Sequence, residues 1–71
     1  MLPADLKAHI EKALIRNAEI DAQRIQVEVQ GSKIILRGTV HSYAERKAAE
    51  EAVWSAPGVT EVENKIMISL P

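Results

Sequence analysis

The chain has 71 residues, enough for one domain with a small core. A hydrophobic content of 46% supports a packed interior and excludes a disordered chain. Nine basic against ten acidic side chains lack the basic excess of a nucleic-acid binder, and the absence of cysteine excludes disulfides and thiolate chemistry.

Residues 3–18 carry a helical pattern. Pro3 suits a first turn, Asp5 complements the positive end of the helix dipole, and Leu6, Ile10, Ala13, Leu14 and Asn17 share one face. Ile15 points away from that face. The segment before it has neither the positive region nor the apolar run of a signal peptide, and no apolar run in the chain exceeds three residues.

A short polar linker over 19–24 carries Ile20. Ile25, Val27 and Val29 then alternate with Gln26, Glu28 and Gln30, the period of a half-buried strand. Gly31-Ser32 suits a two-residue hairpin loop. The second strand sets Ile34, Leu36, Gly38 and Val40 on one side and Lys33, Ile35, Arg37 and Thr39 on the other. Ser42 followed by Glu45 is a capping-box pattern opening a second helix, in which Glu45, Ala48, Ala49, Ala52, Val53 and Ala56 share a face. Pro57-Gly58 stops that helix, with Gly58 serving the turn. A single last strand begins near Val59 or Thr60, with Val62, Asn64, Ile66, Ile68 and Leu70 inward and Glu61, Glu63, Lys65, Met67 and Ser69 outward.

The expected class is α+β: a two-layer α/β sandwich in the order α-β-β-α-β, its three-stranded mixed sheet covered by both helices on one face. A right-handed crossover makes the second and third strands parallel. Inward Gly38 is read as structural, making room beneath the Ala48/Ala49/Ala52 face. Inward Asn64 is read as a hydrogen-bonded structural amide that ties down neighbouring backbone, and Ser42 as a cap.

Two outward surfaces are candidates for binding. Tyr43, Lys47, Glu50 and Trp54 follow at steps of four, three and four along the second helix, with Arg46 beside them. Such an aromatic and basic stripe suits a lipid headgroup region or a partner; the alternative folds Trp54 over the flank of the first helix. The second candidate is the open sheet face, where Ile35 and Met67 form an apolar pair rimmed by Lys33, Arg37 and Lys65. No catalytic constellation, metal-ligand spacing, phosphate loop or cofactor motif is present. His9 and His41 stand singly, and Glu50 and Glu51 are adjacent on a helix and diverge.

The phrases VEVQGSKIILRGTV and ERKAAEEAVWSAPGVTEVENKI resemble the BON domain of bacterial cell-envelope and osmotic-stress proteins. The glycine before Val40, the Gly58-Val59 pair, Val62 and Asn64 sit where the family pattern puts them, and the likeness covers nearly the whole chain. The resemblance implies the same sandwich and a non-catalytic module attaching to phospholipid membrane surfaces in the periplasm or envelope. Further BON copies or other envelope proteins are implied as partners, and nucleic acid is not. One copy and no export signal imply a domain excised from a longer protein. The alternative function is protein–protein interaction or oligomerisation through the sheet edges and open face.

Overall fold

The computed structural model describes residues 2–18 and 20–69. The readings that touch Glu19 and Leu70 lie outside the described residues. The order is α1 (Pro3–Arg16), a 3-10 turn (Ala22–Arg24), β1 (Ile25–Gln30), β2 (Lys33–Val40), α2 (Tyr43–Trp54), β3 (Glu61–Asn64) and β4 (Met67–Ile68). The chain is therefore an α+β sandwich, as the hydrophobic periods require.

β1 and β2 form an antiparallel hairpin pairing Val29 with Ile34, Val27 with Leu36 and Ile25 with Gly38. β3 runs parallel to β2, from Lys33 opposite Glu61 to Leu36 opposite Asn64. The expected single last strand is instead two segments, because β4 pairs with β2 as Thr39 opposite Met67 and Val40 opposite Ile68. The register does not slip across the break. The Lys65 N–H still donates to the Leu36 carbonyl at 2.8 Å, and the Ser69 N–H to Val40 at 2.8 Å. The start of β3 is held to the hairpin turn, with the Thr60 N–H on the Ser32 carbonyl and the two hydroxyls 2.7 Å apart.

One face of the sheet is covered by both helices. Leu6, Ile10 and Leu14 of α1 meet Ala49 and Val53 of α2 over Val27, Ile34, Leu36 and Val40, and Ala56 and Ile66 close the same cluster. α1 packs chiefly on β1, and α2 on β2 and the last strands. Ser42 caps α2, its Oγ accepting from the Glu45 N–H at 3.1 Å. Gly58 follows that helix at φ +88°, in the turn that leads to β3.

The reason for Gly38 differs from the expected one. A Cβ at this position would lie 2.0 Å from the Arg24 carbonyl oxygen and 3.1 Å from Ile25 Cα, and no α2 alanine is among its nearest neighbours. The strand opposite is what comes close. In an antiparallel ladder the pairs without mutual hydrogen bonds bring their Cα atoms nearest, and Ile25–Gly38 is such a pair. Gly38 also adopts φ +135°, a region that side chains avoid. Gly38→Ala is expected to cost about 2–4 kcal/mol in urea unfolding, combining backbone strain with a main-chain clash. A loss below about 1 kcal/mol would refute this account of the contact.

Candidate functional site

The outward face of α2 begins at Tyr43, directly after the Ser42 cap, so its spacing from the cap fixes which residues face away from the core. Tyr43 is 76% exposed and Trp54 48% exposed, with exposed Lys47 between them. At 1.5 Å rise per residue the two residues sit about 16 Å apart along the helix axis. Trp54 keeps about half its surface in solvent. Glu50, the fourth member of the stripe, is half-buried, and its Oε1 accepts from Asn64 Nδ2 at 3.1 Å.

Arg46 does not stand free beside Trp54. Its Nε donates to the Ile66 carbonyl at 3.1 Å and its Nη2 to the Asn64 carbonyl at 3.2 Å. The Lys65 N–H points toward β2, so by alternation the carbonyls of Asn64 and Ile66 point to the outer edge of the last strand. The Asn64 Oδ1 in turn accepts from the Ile66 N–H at 3.0 Å. One guanidinium and one amide therefore occupy the edge where β3 gives way to β4. They occupy the Asn64 and Ile66 carbonyls and the Ile66 N–H, the outward groups at that break.

The open face is not the surface expected from parity. Ile35 is 4% exposed, so it makes no apolar pair with Met67, which is 70% exposed and stands beside Thr39 near the end of the sheet. Ile35 lies in register between Glu28 of β1 and Glu63 of β3, with Lys33 and Arg37 on the same side of its own strand. The long stems of such side chains cover the central isoleucine while their charged ends reach water. The charges also alternate: Lys33 meets Glu61 at 3.4 Å, Arg37 meets Glu28 at 4.0 Å and Lys65 meets Glu63 at 3.6 Å. Each cation on this face has an acidic neighbour, so the positive rim is neutralised. Solvent-exposed pairs of this kind contribute under about 1 kcal/mol each.

Glu45 has a role beyond the capping pattern. It is 6% exposed, with Oε2 accepting from the Asp21 N–H at 2.9 Å and Oε1 from the His41 N–H at 3.2 Å. The carboxylate ties the entrance of the 3-10 turn to the start of α2. Sequence spacing gave its local bond region but could not give Asp21, which is 24 residues away. Among the described residues, no group of three or more His, Cys, Asp or Glu side chains could hold a metal ion. No described helix is long and apolar enough to cross a membrane.

A comparison with protein families identifies the domain. The BON domain model matches residues 4–69, nearly the whole chain, and the chain belongs to that family. The BON family is one of non-catalytic binding domains associated with envelope proteins. No curated protein matches the chain significantly.

Arg46→Met keeps the aliphatic stem and removes the donors from two edge carbonyls. It is expected to lower stability by about 1–3 kcal/mol in urea unfolding. A loss below about 0.5 kcal/mol would mean that water satisfies those carbonyls equally well.

Proposed function

We propose that this domain attaches its parent protein to phospholipid surfaces at the bacterial envelope or in the periplasm, including under osmotic stress, through the outward face of α2. The observation that carries this reading is the pairing of two exposed aromatic residues, Tyr43 and Trp54, with exposed Lys47 between them on one helix. An amphipathic ring gains by sitting at the headgroup boundary, with its apolar body in the acyl region and its polar tip in water. A lysine near an anionic surface contributes about 1 kcal/mol, reduced by salt. Glu51 is also exposed on this helix and the whole chain is slightly acidic, so attachment by one copy is weak and reversible. Arg46 is a poorer candidate than Lys47, because its Nε and Nη2 hold strand carbonyls. The open sheet face is the poorer candidate, since Ile35 is covered and the cations there are paired.

Trp54 is the single tryptophan, so its emission reports directly on insertion. With vesicles containing phosphatidylglycerol the emission is expected to shift to the blue. Trp54→Ala should lower co-sedimentation about three- to tenfold. Lys47→Glu should lower it by about fivefold or more, with the difference disappearing at high salt. Unchanged Trp emission with saturating vesicles, or equal sedimentation of wild type and Trp54→Ala, overturns the assignment.

A further inference from the structure

The two long edges of the sheet are treated differently. On the last strand, Arg46 and Asn64 occupy the outward backbone groups at the β3–β4 break. On β1 no such cover exists among the described residues. The two-residue turn makes Gln30 and Lys33 a hydrogen-bonded pair, so by alternation Glu28 and Gln26 also face β2. Ile25, Val27 and Val29 then turn their backbone groups outward. The Ile25 N–H is taken by the Ala22 carbonyl, in keeping with that phase. The N–H and C=O of Val27 and Val29 are left facing away from β2. β1 has no proline, no lysine, no positive-φ residue and no bulge, and Glu28 is its one charged residue.

A groove of about 610 Å³ runs along this edge, lined by Ala4, Lys7 and Glu11 of α1 on one side and by Gln26, Glu28 and Arg37 on the other. The edge has backbone donors and acceptors, space beside it, and a sequence that pairs with itself. We propose that β1 is the interface for a second copy of this chain, added antiparallel about a two-fold axis at Val27, giving a continuous six-stranded sheet.

Residue identity selects this register. For both copies to keep their cores on the same face, paired positions must share parity. A two-fold axis at Val27 sets Val27 against its own mate, Ile25 against the partner's Val29, and Gln26 against the partner's Glu28. Outward-facing Val27 and Val29 then supply the ladder, and each glutamine amide meets a carboxylate. Moving the axis to Glu28 would set two like charges directly opposite each other, which is unfavourable. Moving it to Gln26 shortens the ladder. The helix side is also self-complementary. Lys7 and Glu11 have opposite charge, and a two-fold axis beside them reverses their order in the second copy, so unlike charges face.

The test is sedimentation velocity from micromolar to millimolar protein, read together with residue-resolved amide exchange. The wild type is expected to pass from monomer to dimer, and protection of the Val27 and Val29 amides should rise roughly tenfold with concentration. Gln26→Glu puts carboxylates opposite each other at two sites and should weaken the dimer. Gln26→Lys should strengthen it, giving a reversal of sign that a folding defect does not produce. Thermal melts of both variants at low concentration verify that the monomer is intact. A wild type that stays monomeric at millimolar concentration overturns the proposal, whether or not it captures an extended segment of another protein. So does a dimer whose strength moves in the same direction in both variants, or one that leaves the Val27 and Val29 amides unprotected.

Discussion

β2 has to satisfy ladders on both of its edges and packing on both of its faces, and the rest of the domain is arranged around that demand. Its odd-numbered positions hydrogen-bond to β1 and its even-numbered positions to β3 and β4. Ile34, Leu36 and Val40 fill the core beneath the helices, while Ile35 is buried on the opposite face. A domain of this size has no second layer to cover that face. Long charged side chains on the three strands therefore act as the missing layer over Ile35, and their alternating signs keep that cover free of net repulsion. The even register from β3 through β4 follows from the same demand, because a one-residue slip of the last strand would turn Ile68 away from the core face on which Val40 lies.

The parts of the chain that were legible from sequence are those governed by period and local chemistry. Ile25–Gln30 was marked by strict alternation and Lys33–Val40 by its apolar run and the turn of the right length before it. The start of α2 was marked by Ser42, while its end at Trp54 falls before Ala56 and Pro57-Gly58, where the sequence placed it. The illegible parts depend on what lies across space. Parity places Ile35 outward, and only the neighbouring strands show that it is covered. Gly38 was marked as a close approach, but the closeness comes from the Arg24 carbonyl across the hairpin and not from the alanines above. A helical wheel sets Arg46 near the aromatic stripe, but it cannot show two carbonyls at the end of a strand 18 and 20 residues later.

The break after Asn64 shows how one local feature does several jobs. Residues 65–66 fall outside both strand segments although the Lys65 N–H keeps its bond to Leu36, and the outward groups around them are held by side chains from the same short region of α2 and from Asn64 itself. Glu50 holds the amide, the amide holds the Ile66 N–H, and Arg46 holds the carbonyls on either side. α2 is thereby fixed to the last strand by polar contacts on its flank as well as by Ala49 and Val53 beneath it. This anchoring leaves Tyr43, Lys47 and Trp54 on a helix that cannot easily roll. A rigid presentation lowers the ordering cost of binding a flat surface.

The closed edge and the open edge then bear on the same surface. In the two-fold arrangement at β1, both copies keep their helices on one face of the six-stranded sheet, because paired positions share parity. The two α2 helices lie on the same side of that sheet, each fastened to its own capped last strand, with both aromatic stripes directed away from it. A single flat membrane can meet both at once. Under the proposed attachment to lipid, binding of the first copy of that proposed dimer holds the second at high effective concentration, so two weak contacts combine into a stronger one without any new contact to lipid. In the proposed dimer the bonds at the β3–β4 break hold α2 to one end of the sheet, and pairing at β1 sets a second α2 at the other end of the same face.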